Sequence, residues 1–481
     1  MEELDIATIK KKALKGVVAL VGRTFFIQVI GFGATFLLTV YLTPSIFGIF
    51  YVVSAFISFL SYFSDIGLAA ALIQKKEALT EEDLKTTFTI QQSLVLTLCV
   101  LMFIASPYIG TFYNLDSEGV FLLKALILSF FLSSLKTIPS VLLERKLDFN
   151  TLVIPQIIET IGFYGVAVVL AARGLGIMSF TWAVLTRAVT GLIAIYICSP
   201  WRIRIGISRP VAGRLLRFGI PFQLNSVLAL IKDDLMTIFL GKILPFGEVG
   251  YIGWAKKWAE VPLRLIMDSV IRVTFPAFSR LQHTKEVLGS AIEKTMFGLA
   301  LTIIPISVGL LFFVGPIVSL IPKYGKWQPA LFAFSLFVIS SLFASFSTPL
   351  TNAINAIGKI KITLYLMIFW TAATWIFTLI FVHFFGYNGF AMALLTLSLS
   401  TFIVIAIAKR YAPFSFIKSV RIPVLAGLMQ GMCYFFLRGS APYAVLHLVI
   451  VAGVGAILYG GVVWLFEKDH IMHMIRLNKT V

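Results

Sequence analysis

The sequence predicts an all-α, polytopic membrane protein of about 14 transmembrane helices, and three observations predict it. Of 481 residues, 59% are hydrophobic and only 13% are charged, about half the ~25% charge of an ordinary soluble chain. Apolar runs, each near the roughly 20 residues that cross ~30 Å of hydrocarbon, follow one another from end to end, and mean hydropathy is +0.95. Lys and Arg are sorted by side: 26 fall in the connections on one face of the expected spans and 5 on the other. A soluble enzyme is excluded. The formal charge of +18 reports topology, and no nucleic-acid partner is expected. By the positive-inside rule the Lys-rich face is cytoplasmic, both termini lie there and the number of spans is even.

The first span, 16–42, follows Lys10, Lys11, Lys12 and Lys15; it is too long for a signal-peptide core and is expected to stay in the mature chain. Span 47–64 starts just past the turn at Pro44, where a proline is tolerated. Lys75, Lys76 and Lys85 precede 87–107, the Tyr108–Glu118 connection leads to 119–143, and Arg145-Lys146 to 150–172. Span 176–199 ends the first set, and a run from Arg202 to Arg217 leads to 214–241. Span 249–278, at 1.5 Å per residue, must tilt, kink or protrude. The rest are 295–321, 328–356, 361–382, 387–408, 422–438 and 443–466. Cys99, Cys198 and Cys433 fall inside apolar segments and read as core residues. External connections are short, against a membrane-embedded glycosyltransferase, which needs a large loop with placed carboxylates.

Leu42–Gly48 (LTPSIFG) matches Leu244–Gly250 (LPFGEVG) at an offset of 202. In each, an apolar helix meets a Pro turn, a Gly and another apolar helix. An even number of spans separates them, so the repeats are parallel, as in transporters with a site between halves. The organisation expected is an N-terminal lobe over 1–200, a C-terminal lobe over 201–410, and an extra helix pair with a cytoplasmic tail over 411–481.

Charges inside spans are costly and face protein or water. Glu260, Arg264, Asp268 and Arg272 recur every fourth residue, preceded by Lys256 and Lys257, and residues four apart stack on one helix face. That stripe either lines an aqueous cavity or neutralises itself as Glu260–Arg264 and Asp268–Arg272 pairs, with positive charge in surplus. Arg23, Lys136 and Arg187 stand against one acid, Glu159; Asp233 and Asp234 are either structural partners or coupling carboxylates. A cationic cavity suits an anionic substrate, and the Arg fork suits phosphate. Trp254 and Trp258 are candidates to stack on sugar rings or to anchor at the interface. No metal-ligand cluster, phosphate loop or nucleophile–base arrangement stands out.

Leu42–Gly48, Asp65–Gln74 (DIGLAAALIQ), Leu143–Phe149 (LERKLDF) and Phe275–Gln282 (FPAFSRLQ) resemble the Wzx-type polysaccharide flippases of the multidrug/oligosaccharidyl-lipid/polysaccharide (MOP) superfamily, in the colanic and teichuronic acid exporter branch. The resemblance covers nearly the whole chain. It implies two six-helix lobes facing each other in a V, a central cavity, alternating access, and an extra helix pair like that of fourteen-helix members. It implies a polyprenyl-(pyro)phosphate-linked oligosaccharide as substrate, membrane lipids around a functional monomer, and the prokaryotic cytoplasmic membrane. No cofactor is implied; a coupling ion (H+ or Na+) and a polymerase partner stay open. Two rivals share the fold: a lipid II flippase, and a cation-coupled drug exporter, which predicts acids in the first lobe's cavity.

Overall fold

The computed structural model describes residues 26–224, 227–437 and 445–479, which are helical apart from turns and short irregular connections. The chain is all-α and spans the membrane many times. It divides into two compact units, Met1–Gly250 and Tyr251–Val481. That division is by compactness; the boundaries expected at 200 and 410 are topological.

In the first unit α1 (Phe26–Tyr41) turns at Leu42-Thr43 into α2 (Pro44–Asp65), whose first position is proline and which ends on Ile66 at φ 45°. Gly67 at φ 71° starts α3 (Leu68–Gln74). Helix α4 (Glu81–Tyr113) opens with a capping box: the Thr80 hydroxyl accepts from the Asp83 amide while the Asp83 carboxylate accepts from the Thr80 amide, satisfying two orphan donors at once. Asp116 caps α5 (Ser117–Ser134) through the Gly119 amide. One span then breaks at Leu135-Lys136 and resumes as α6 (Thr137–Arg145). Asp148 caps α7 (Phe149–Ala172), which pairs as a hairpin with α8 (Met178–Cys198); α5 packs against α8 and α2 against α10. Helices α9 (Arg209–Leu224) and α10 (Val227–Ile243) complete this unit with the first turn of α11 (Phe246–Leu281).

The two matched motifs meet here. A Cβ on Gly48 would collide with the Phe246 carbonyl, and a Cβ on Gly250 with the Pro44 carbonyl. Shifting either contact by 202 residues gives the other. Close backbone approach of this kind requires glycine.

The second unit holds the rest of α11, α12 (Lys285–Leu320), a 3-10 turn at Gly325–Ala330, α13 (Leu331–Ala356), α14 (Ile360–Phe385), α15 (Asn388–Ser398), α16 (Thr401–Lys409), α17 (Phe416–Leu437) and α18 (Val445–Lys479). Its core runs from Met267 and Phe278 through Met296, Ile303 and Leu350 to Val463.

Among the described residues, eleven helical segments are long and apolar enough to cross a membrane. The fourteen expected differ at three places. The first begins outside the described residues. The seventh falls on α9 and α10, between which residues 225 and 226 lie outside the described residues. The eighth is α11, long enough but charged along much of its length.

Candidate functional site

A cavity of about 760 Å³ lies within the first unit, walled by α2, α5, α6 and α8. Its position follows from helix periodicity. Ser54, Ser58 and Ser61 on α2 are spaced four and three apart, as are Ser129, Ser133, Thr137 and Ser140 along α5 and α6, so each set occupies one face. Asp65 and Glu144 line the cavity beyond Ser61 and Ser140. From Phe50 to Asp65 the α2 wall rises about 22 Å.

Of the predicted cations, Lys136 and Arg187 reach this cavity. Lys136 Nζ lies 2.7 Å from Glu159 Oε2, and a Cβ on Gly191 would strike that carboxylate, so the pair fits only because residue 191 has no side chain. The Arg187 guanidinium lies 6.0 Å from the centroid of the Phe163 ring, a weak cation–π contact. Gln91 is 3% exposed; its Nε2 donates to Thr137 Oγ1 at 2.8 Å, while its Oε1 and the Ser54 hydroxyl have no partner.

The expectation of three cations against one acid, Glu159, is amended by two further acids in the cavity lining, Asp65 and Glu144. Lys136 is neutralised by Glu159, and Asp65 and Glu144 offset Arg187. Both acids stand in motifs quoted above, at span edges where a carboxylate reads as interfacial. The serine spacing was the signal available for the cavity wall.

The second cationic feature is on α11, in the second unit. Arg264 Nη2 bonds Glu260 Oε2 at 2.8 Å, and Lys256 Nζ lies 4.0 Å from Glu260 Oε1, so one carboxylate serves two cations one helical turn to either side. The Arg264 side chain remains 70% exposed. Lys257 and Arg272 are exposed on the same helix; the Asp268 side chain lies outside the described residues. Arg23 also lies outside them. Asp233 is exposed and Asp234 half-buried on α10. Trp254 is not a sugar platform: it is 2% exposed, stacks on Trp327 at 5.4 Å and donates from Nε1 to Tyr324 Oη at 3.1 Å.

At the Lys- and Arg-rich ends of α3, α4, α6 and α9 the sequence reading missed two devices. Asp83, fully buried, takes Lys75 at 2.5 Å and Arg214 of α9 at 2.7 Å. Arg145 donates to the carbonyls of Leu72, Lys75 and Glu77 at 2.8, 2.5 and 2.5 Å, gathering the α3–α4 connection.

Comparison with known proteins places this geometry. The profile of a family described as "Polysaccharide biosynthesis protein" matches residues 37–331, more than half of the chain. The lipopolysaccharide biosynthesis protein WzxC of Escherichia coli K12 is 25% identical over 68% of this chain and 66% of its own length, just under two thirds of that relative. The succinoglycan biosynthesis transport protein ExoT of Rhizobium meliloti is 22% identical over 91% of this chain and 90% of its own. Among solved structures, the lipid II flippase MurJ in an inward closed conformation superimposes with a TM-score of 0.77 at 17% identity, over 95% of this chain and 100% of that one. At that identity the likeness shows the fold, which is the MOP fold.

Proposed function

The chain belongs to the polysaccharide biosynthesis protein family, and from that premise we propose that it is a flippase, moving polyprenyl-(pyro)phosphate-linked oligosaccharide across the cytoplasmic membrane by alternating access. The observation that carries the proposal is a cavity among membrane helices whose wall carries serine hydroxyls and charged side chains beside apolar ones. Sugar and pyrophosphate cannot cross ~30 Å of hydrocarbon unsolvated, because each unsatisfied polar group there costs several kcal/mol. A wall of fixed hydroxyls and ion pairs substitutes for water.

In this proposal Arg187 meets the cargo within the first unit's cavity, while on α11 Lys256, Lys257, Arg264 and Arg272 contact phosphate oxygens. Arg23 is assigned the same role from the sequence. Lys136 is committed to Glu159 and acts on the cavity wall. The reaction needs no bond to be made or broken. The 26-to-5 distribution of Lys and Arg supports cytoplasmic termini, and the chain is proposed to work as a monomer. Asp65 and Glu144 in the first unit's cavity are what the drug-exporter rival predicts, whereas ExoT, named as a succinoglycan biosynthesis transport protein and matched over nearly its whole length, supports polysaccharide cargo over drugs.

The test is translocation in proteoliposomes. A polyprenyl-pyrophosphate-linked oligosaccharide is loaded in one leaflet, and its exposure to an external glycosidase is followed with and without an imposed H+ or Na+ gradient. Protein-dependent exposure is expected, reduced about tenfold in Arg264→Ala by loss of one charge-assisted phosphate contact. No exposure with folded protein under either gradient overturns the proposal, and cation-driven drug efflux from the same vesicles puts the rival in its place.

A further inference from the structure

The cavity of the first unit is chemically specific beyond being polar. Its two facing walls present hydroxyls, Ser54, Ser58 and Ser61 on α2 against Ser129, Ser133 and Ser140 on α5 and α6. A hydroxyl both donates and accepts, which is what a polyol needs from each partner. Not all of this capacity is consumed by protein, since the Gln91 carbonyl oxygen and the Ser54 hydroxyl are unpartnered. The rings of Phe50 and Phe163 are also in the lining, apolar surfaces of the kind that cover the C–H face of a pyranose. The volume of about 760 Å³ lies in the ~300–1,000 Å³ range of small-molecule sites.

Charge then narrows the class. Lys136 is taken by Glu159 at 2.7 Å, and the other charged lining residues are Arg187, Asp65 and Glu144. With Glu159 counted, acids exceed bases. Phosphate would meet no surplus of cations here, and a hexuronate would be set beside two carboxylates. An apolar drug would leave the hydroxyls without partners, which is costly once water is displaced.

We infer that this cavity is a sugar-reading subsite, selective for a neutral hexose of the cargo over an acidic one and distinct in task from the phosphate-binding cations. The inference rests on the flippase reading for its cargo.

Binding and translocation are measured separately so that the two can fail separately. Ser140→Cys is made in full-length chain with Cys99, Cys198 and Cys433 replaced, and its labelling by a small thiol reagent is followed in lipid nanodiscs. Three probes are compared: a polyprenyl pyrophosphate carrying one neutral hexose, the same lipid carrying one hexuronate, and the bare pyrophosphate. Protection by the hexose lipid alone is expected. Ser58→Ala and Ser133→Ala are each expected to weaken that protection about fivefold, the loss of one hydrogen bond, with Ser58→Thr restoring it. Equal protection by the bare pyrophosphate, or stronger protection by the hexuronate, overturns the inference. Translocation with no protection by any probe overturns the subsite and leaves the flippase standing. Protection by the hexose lipid without translocation does the reverse.

Discussion

Gly48 and Gly250 make one contact from opposite sides: each sits on the main chain of the other's turn, Gly48 against Phe246 and Gly250 against Pro44. Their motifs match in sequence, and the structure brings the matched copies together. Because a carbonyl cannot move aside like a side chain, Gly48→Ala and Gly250→Ala are each expected to destabilise by ~1–3 kcal/mol, the cost of overpacking. The two losses should be similar. Gly165→Ala, where a Cβ meets nothing within 4 Å, should stay within ~1 kcal/mol of wild type or gain stability. Thermal unfolding of the three variants in detergent checks this.

Lys136 and Glu159 should behave as a unit. Removing one partner strands the other's charge, so Lys136→Met is expected to cost ~3 kcal/mol, and Lys136→Met/Glu159→Met less than the single change. Gly191→Ala, which would push a methyl into the Glu159 carboxylate, should reproduce the single-variant loss. A double-mutant cycle on unfolding free energies measures the coupling.

Trp254→Ala is expected to lower stability by ~3–5 kcal/mol, as for a large aromatic core residue, while Trp254→Phe retains most of it. A stable Trp254→Ala protein with weakened sugar binding would instead return Trp254 to the sugar-platform role.

Arg145→Lys keeps the charge but loses the planar fork that reaches several carbonyls at once. The α3–α4 connection should then be cut faster by limited proteolysis, with little change in the rest of the digestion pattern.

The helical, many-span architecture was legible because membrane helices carry their signal in every residue: length, apolarity and the side preference of Lys and Arg. The Gly48 and Gly250 motifs were legible as a repeat because a turn between helices constrains residue type. The candidate site was legible only in part. Periodicity put Glu260 and Arg264 on one face, and they bond there. It could not show that Glu159 sits on Lys136 rather than Arg187, because that depends on how α7 and α8 pack beside α6. Asp65 and Glu144 went unread as site residues because depth was judged from span edges, and a helix end beside a water-filled cavity looks the same in sequence as one at the bilayer surface. Trp254 was misjudged because burial among other aromatics, here Trp327 and Tyr324, leaves no local mark.

Asp83 has a consequence for the order in which the molecule is assembled. Its carboxylate is fully buried and answers to two cations that the ribosome delivers at different times. Lys75 is synthesised 8 residues earlier, whereas Arg214 arrives 131 residues later. Chains are built from the N-terminus at a few residues to a few tens of residues each second, so for several seconds the acid has only its near partner. The Thr80 cap and Lys75 are therefore the partners within reach through synthesis of four spans, α4 to α8, and Arg214 joins them only when α9 emerges.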